Sequence, residues 1–211
     1  MGSLVNFGRS AWLAQVVTAS RSRGQGWGTR MVDFLVDTAR RRGVVTVSLV
    51  ATDLGFPLYD RAGFRVEGEY SFWTRSDPAP AEPDASRGLA PWSPEDSKSI
   101  LELDYEVTGE SREGYLARDL PKAWVVPGGY YLPMAGEGLV VARTEAAGVP
   151  LLHRRMDGAV RVVVPTENPA APTVLASRGF REDKRMRRMV LGPALTRRPE
   201  ACWSRVGGNL G

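Results

Sequence analysis

The feature that most constrains this fold is a glycine-rich turn between an apolar segment and an amphipathic helix. Residues 11–19, "AWLAQVVTA", predict a strand, and the turn "SRSRGQGWGTR" follows it directly. From Gly28 to Arg42 the apolar residues Met31, Phe34, Leu35 and Ala39 recur at i, i+3, i+4 and i+8, which predicts a helix that ends at Gly43. Strand, glycine turn and helix in this order are typical of phosphate binding, because N–H groups at a helix N-terminus attract anions.

The next elements continue the alternation of strands and helices. "VVTVSLVA" (44–51) is a β-branched run, which is typical of a buried strand. "DLGFPLYDRAG" predicts a short helix that ends at Gly63, and "FRVEGEYSFWTR" predicts a strand or hairpin. This order predicts an α/β fold with helices packed on a sheet.

A proline-rich stretch predicts the domain boundary. Residues 76–92, "SDPAPAEPDASRGLAPW", contain four prolines, as in a semi-rigid linker. We therefore expect one domain at 1–75, a linker at 76–92 and a second domain at 93–211. "LYDRAGFR" (58–65) and "VLASRGFR" (174–181) both lead from a helix into a strand, which favours a tandem repeat of one fold.

Composition narrows the function classes. The 211 residues carry a net charge of +4, but 25 of the 28 basic residues are scattered arginines, so we expect no nucleic-acid partner. No run of eighteen apolar residues and no signal peptide are present, which predicts a cytoplasmic protein without a membrane partner. With Cys202 and His153 each the single residue of its type, we expect no internal disulfide, no metal site and no Ser–His–Asp triad.

Three phosphate-binding motifs compete for the glycine turn, with an ordinary tight turn as the alternative to all of them. A P-loop requires a lysine that is absent, and the dinucleotide motif requires a third glycine where Thr29 stands. The pattern Arg/Gln-x-x-Gly-x-Gly/Ala is filled by Arg23, Gly26 and Gly28. On these residues the sequence resembles the GNAT superfamily of N-acetyltransferases, in which this loop binds the pyrophosphate of acetyl-CoA.

The resemblance implies a cofactor site for acetyl-CoA and a candidate acid. "ATDLGFPLYDRAGF" (51–64) is similar to the family segment in which a tyrosine protonates the departing CoA thiolate, and Tyr59 fits that place. The alternative for Tyr59 is an aromatic residue that only packs. A backbone N–H near Val16 to Thr18 would polarise the thioester oxygen. The implied cofactor-binding residues are Val16, Val17, Thr18, Arg23, Gly24, Gln25, Gly26, Trp27, Gly28 and Thr29.

The general base stays open at this point. Asp53, Glu67, Glu69 and Glu137 are all candidates, and each is also an ordinary surface carboxylate. The identity of the acceptor amine is not indicated either.

The second half resembles the C-terminal domain of tandem bacterial acetyltransferases more loosely. Its corresponding turn, "LVVARTEAAG", has no glycine run, and Leu175 stands where Tyr59 stands in the first copy. We therefore expect a non-catalytic second domain. Because about ten residues precede Ala11, we expect a first domain incomplete at its N-terminus, completed by association of the halves or by a homo-oligomer.

Two functions follow from the resemblance. The first is an acyl-CoA-dependent N-acyltransferase that moves acetyl from acetyl-CoA to a small-molecule or protein amine. The alternative is an inactive remnant that serves as a CoA-binding or protein-interaction module. The expected fold is α/β, with two GNAT-like mixed-sheet domains in tandem.

Overall fold

The chain forms two compact units that interleave along the sequence. The computed structural model describes residues 1–78, 80, 88–134 and 136–206. Unit 1 contains Met1–Gly68 and Met186–Leu195, and unit 2 contains Glu69–Arg185 and the described part of Thr196–Gly207. These limits differ from the boundaries predicted at 75 and 93, and residues 79 and 81–87 of the predicted linker lie outside the described residues.

Unit 1 consists of a mixed sheet with two helices. Its elements are β1 (Ser3–Phe7), β2 (Ser10–Ala14), α1 (Trp27–Arg41), β3 (Thr46–Ala51), α2 (Phe56–Arg61), the start of β4 (Arg65–Thr74) and the end of β10 (Arg181–Leu191). The strand order is β1-β2-β3-β10-β4. β2 runs antiparallel to β1 and parallel to β3, while β10 is antiparallel to β3.

The helices cover one face of this sheet. Alternate residues of β3, Val47, Leu49 and Ala51, point into a core that they share with α1 and α2. The α1 residues in that core are Val32, Leu35, Val36 and Ala39. The predicted apolar stripe was wrong in one member, since Phe34 is 64% exposed. The buried set recurs at i, i+3, i+4 and i+7 and the predicted set at i, i+3, i+4 and i+8, so periodicity alone could not distinguish the two faces.

Unit 2 has the larger set of elements. They are β5 (Ala90–Pro91), α3 (Asp96–Thr108), α4 (Glu113–Leu116), β6 (Trp124–Val126), β7 (Gly129–Leu132), β8 (Leu139–Ala142), α5 (Glu145–Met156), β9 (Arg161–Pro165), α6 (Ala171–Ser177) and β11 (Cys202–Ser204). One sheet has the order β11-β8-β7-β6-β5. The later part of β4 pairs antiparallel with β9, from Tyr70 opposite Pro165 to Thr74 opposite Arg161.

The two Gly-Phe-Arg segments adopt the same turn. The Phe64 N–H donates to the Tyr59 carbonyl at 3.0 Å, and the Phe180 N–H donates to the Leu175 carbonyl at 3.1 Å. Gly63 and Gly179 both have φ near +80°, which only glycine adopts at little cost. Leu175 therefore holds the place in its turn that Tyr59 holds in the first one.

The observed fold is mixed α/β, as the alternation of elements predicted. Within the described ranges, no helix is long and apolar enough to cross a membrane.

Candidate functional site

The site in unit 1 begins where two parallel strands separate. β2 and β3 pair only from Ser10 opposite Thr46 to Trp12 opposite Ser48 in the described chain, although both strands continue. Beyond that point β2 pairs with β1 as far as Ala14, and β3 pairs with β10 as far as Ala51. A fork therefore opens between the carboxyl ends of β2 and β3, the edge at which α/β sheets bind ligands.

A β-bulge reshapes the strand on one side of the fork. β1 and β2 pair in register up to Ser3 opposite Ala14, but Met1 exchanges two backbone hydrogen bonds of 2.8 Å with Val17 instead of Val16. One extra residue has been inserted in β2, and Gln15 there has φ of +55°. The predicted strand over 11–19 thus ends early, because the bulge turns the chain towards the glycine loop.

The bulge also limits which backbone group can polarise a carbonyl oxygen. The Val17 N–H donates to the Met1 carbonyl, so it is engaged within the sheet. Of the predicted strand positions, Val16 and Thr18 are the ones left as candidates. Nothing in the sequence signalled the bulge, since glutamine is not a residue that usually marks positive φ.

The glycine loop leads to the N-terminus of α1 without a side-chain cap. Gly24 and Gly26 have φ of +75° and +79°, and a Cβ at either would meet no atom within 4 Å. Their backbone conformation, rather than crowding, therefore favours glycine. Gly26 is the N-cap residue, the described residues show no side-chain capping hydrogen bond there, and the first turn contains no acid. Such a helix end attracts an anion through its N–H groups and its dipole.

The loop side chains are ordered by contacts among themselves. The Gln25 side-chain amide donates to the Arg21 carbonyl, and its oxygen accepts from Trp27 Nε1, both at 3.3 Å. The Arg30 guanidinium lies 5.2 Å from the centre of the Trp27 ring. The sequence motif did not include Arg30, which adds a positive charge one turn into the helix.

The predicted cofactor residues thus lie in one continuous segment between the bulge and α1. Most are exposed, and the partly buried ones are Val16, Thr18 and Gly28. Apolar side chains at the same edge of the sheet are also exposed, Val17 after β2 and Leu54 after β3. The segment therefore offers backbone N–H groups, positive charge and apolar surface together.

Tyr59 lies in α2 and is 8% exposed. Its ring packs edge-on against Phe64 with centroids 5.9 Å apart, and it belongs to the core of unit 1. Burial raises the pKa of the Tyr59 phenol above its ordinary value, so it stays protonated at neutral pH. The packing alternative for Tyr59 is supported, and the acid role stays a prediction.

The four candidate bases divide between the units. Asp53 and Glu67 are in unit 1 with the glycine loop, whereas Glu69 and Glu137 are in unit 2. Asp53 is 90% exposed and pairs with Arg187 at 2.6 Å. Glu67 pairs with the buried Arg188. Both carboxylates are thus engaged by arginine side chains, and neither contact singles one of them out as the base.

In unit 2, α5 follows β8 as α1 follows β2 in unit 1, but the N-terminus of α5 is capped. Only residues 143 and 144 separate β8 from α5. The Thr144 hydroxyl caps the helix by accepting from the Ala147 N–H at 3.3 Å, and Glu145 puts a negative charge in the first turn. This helix end is satisfied by its own side chain and repels anions.

The described residues contain no group of three or more His, Cys, Asp or Glu side chains that could hold a metal ion.

Comparison with known proteins supports the reading of unit 1. Residues 1–64 match the model described as the acetyltransferase (GNAT) family. No curated protein matches the chain.

Solved structures extend the likeness of the fold to the whole chain. A proposed acetyltransferase from Pyrococcus horikoshii has a TM-score of 0.86 at 19% identity, over 100% of this chain and 75% of that one. A GCN5-related N-acetyltransferase from Sphaerobacter thermophilus has a TM-score of 0.56 at 20% identity, over 93% and 78%. A tandem GNAT protein from the clavulanic acid pathway has 0.54 at 17% identity, over 92% and 80%.

At these identities the structures show a common fold and nothing finer. The chain therefore has the α/β fold of these structures, and its residues 1–64 match the GNAT acetyltransferase family.

Proposed function

We propose that this chain is an acyl-CoA-dependent N-acyltransferase, with its active site in unit 1 and a non-catalytic second domain of the same descent. The observation that carries the proposal is the uncapped start of α1 beside the fork between β2 and β3. The family match at residues 1–64 covers both features.

The residues of the loop fit acetyl-CoA. A pyrophosphate needs several backbone N–H donors in a small space, and the helix start at Gly26, Trp27 and Gly28 offers them without a competing side-chain oxygen. Arg23 and Arg30 contribute positive charge, and the fork leaves backbone groups of the β2 end free of the β3 ladder. When bound, acetyl-CoA would supply an acetyl group activated as a thioester.

Residues of the chain then assist the transfer of the acetyl group to the acceptor amine. An amine nitrogen forms a bond to the acetyl carbon while the bond to sulfur breaks, and a backbone N–H of Val16 or Thr18 polarises the carbonyl oxygen. Tyr59, protonated at neutral pH, donates its proton to the sulfur. The proton lost by the amine goes to water or to a carboxylate side chain, and Tyr59 then regains a proton from water.

A CoA-binding module without catalysis is the second candidate. The burial of Tyr59 in the core favours it, since a packed tyrosine has a structural role without any chemistry.

A carboxylate placed in the loop tests cofactor binding. Gly26→Asp puts a negative charge where the pyrophosphate would sit, and we expect calorimetric titration with acetyl-CoA to show at least a hundredfold weaker binding, about 3 kcal/mol. Gly8→Asp is the matched control, because Gly8 also has positive φ and open space around its Cβ, but lies in the β1–β2 turn.

Equal loss in both variants would show a folding defect and no specific site. Binding that survives Gly26→Asp would contradict the proposed loop. An acetyl-CoA-binding protein that acetylates none of a panel of small amines and peptide amines would favour the binding module.

A further inference from the structure

The two units share one order of elements but differ at the fork. In unit 1 the order is β2, α1, β3, α2 and β4, and the fork lies between β2 and β3. In unit 2 the corresponding order is β8, α5, β9, α6 and β10. The place that corresponds to the fork is therefore the space between β8 and β9.

A strand from the C-terminal end of the chain lies in that space. β11 pairs antiparallel with β8, with Cys202 opposite Val141 and Ser204 opposite Val140. Just beyond β11, the Arg205 N–H donates to the Val163 carbonyl of β9 at 3.0 Å. One short segment thus bonds to both strands and fills the gap with backbone hydrogen bonds.

The side chain of Trp203 closes the same space towards α5. It is 3% exposed, and its Nε1 donates to the Ala142 carbonyl, the last residue of β8, at 3.3 Å. A Cβ added to Gly148 of α5 would overlap the Trp203 ring. The absence of a side chain at Gly148 therefore lets the indole lie flush against the helix.

Polar contacts secure the segment on both sides of the tryptophan. The Asn168 side-chain amide donates to the carbonyls of Glu200 and Cys202 at 2.9 and 3.1 Å. The Ser204 hydroxyl donates to the Gly138 carbonyl at 2.9 Å. Ser204 and Asn168 are both buried, so these bonds are shielded from water.

We infer that the segment Pro199–Val206 permanently occupies the cofactor slot of the second domain. The closed start of α5 and the filled space between β8 and β9 exclude acyl-CoA from unit 2 at two separate points. The consequence for stoichiometry rests on the proposed function: one acetyl-CoA binds per chain, in unit 1.

Hydrogen exchange on the full chain, followed by mass spectrometry with and without saturating acetyl-CoA, tests this. We expect the amides of residues 201–206 to exchange as slowly as those of β8. Acetyl-CoA should slow exchange in residues 15–30 and change nothing in β8, the start of α5 or the C-terminal segment.

Two results would overturn the inference. One is fast exchange of the C-terminal segment while β8 stays protected. The other is slower exchange in β8 or in the C-terminal segment when acetyl-CoA is added, together with binding of two acetyl-CoA molecules per chain. If acetyl-CoA changes no exchange anywhere, the proposed function fails, but slow exchange of 201–206 still supports the occupied slot.

A variant pair tests the contact itself. Gly148→Ala should displace Trp203 and speed exchange of residues 201–206 by about tenfold or more, because overpacking of a filled site is destabilising. Gly114→Ala in α4 is the control, since its Cβ would meet nothing within 4 Å. Unchanged exchange in Gly148→Ala would contradict the packing, and if that variant does not fold, the wild-type data decide.

Discussion

At the scale of single residues, Tyr59 combines an observed packing position with a proposed chemical role. Its ring is part of the core, while burial keeps its phenol protonated. The motif in the sequence placed it correctly after β3, but only the structure showed how much of it is buried. In unit 2, Leu175 occupies the position in its turn that Tyr59 occupies in unit 1. Leucine has no hydroxyl, so this second position can serve packing alone.

Replacement of Tyr59 by phenylalanine separates the two roles. The ring and its contact with Phe64 remain, so we expect the thermal midpoint and the acetyl-CoA Kd to change little. Loss of the general acid should lower kcat by about a hundredfold, within the range of such groups. Steady-state kinetics with calorimetry measure both, and Tyr105→Phe, an exposed position in α3, is the control. A parallel fall in affinity and turnover would assign Tyr59 to packing only.

At the scale of elements, α1 and α5 both follow a strand of the sheet, but the N-terminus of α1 has no side-chain cap whereas that of α5 is capped by Thr144. Residues 15–26 precede α1 and contain glycines with positive φ, whereas two residues precede α5 and one of them is its cap. The glycine spacing predicted the first helix start correctly. The absence of a glycine run predicted that the second differs, but not that Thr144 closes it.

A buried charge network fixes α3 in unit 2. Asp104 accepts two bonds from Arg112, at 2.9 and 2.5 Å, and one of 2.5 Å from the Tyr130 hydroxyl. Both charged side chains are almost fully buried. Burial opposes the charge on Arg112, yet Asp104 holds the pKa of its guanidinium above the ordinary value. The network joins α3, the start of α4 and β7.

Removal of the Asp104 carboxylate should therefore lower the free energy of unfolding substantially. Asp104→Ala removes the carboxylate that pairs with a buried cation, and we expect a loss of about 3–5 kcal/mol in the free energy of unfolding. Glu102→Ala, on the exposed side of the same helix, should change it by less than about 0.5 kcal/mol. Urea unfolding followed by circular dichroism measures both. A loss under about 1 kcal/mol for Asp104→Ala would show that Arg112 finds water or another partner.

At the scale of the whole molecule, two strands carry the chain from one unit to the other. β4 begins in unit 1 and ends in unit 2, and β10 takes the reverse path. Each of these strands follows a Gly-Phe-Arg turn, so the repeat visible in the sequence marks both crossings. A linker-based division cannot reveal this, because strand pairing depends on contacts between distant residues.

Buried phenols predict a limit to stability at high pH. Burial raises the pKa of Tyr59, Tyr70 and Tyr130 above about 10, and that of the Cys202 thiol to about 11. These groups are neutral when protonated, so the folded state holds their protons more tightly than the unfolded state. Their stabilisation is complete below the ordinary pKa of each group, 9.0 for the thiol and 10.0 for the phenols, and is lost as pH rises through the raised values.

We therefore expect the free energy of unfolding to fall steeply between about pH 10 and pH 12. Urea unfolding in a pH series measures it, with ultraviolet absorbance reporting phenol ionisation. Constant stability up to about pH 12 would show that the buried tyrosines ionise in the folded state.

Local residue patterns were enough to predict the α/β alternation, the glycine turn before α1, the position of Tyr59 and the lack of a matching loop before α5. These depend on residues near one another along the chain, where periodicity and turn chemistry act. Tertiary structure alone decided the buried face of α1, the bulge at Gln15, the paths of β4 and β10 and the place of β11. Each of those is set by which distant strands pair and which surfaces they bury, and no local pattern encodes that.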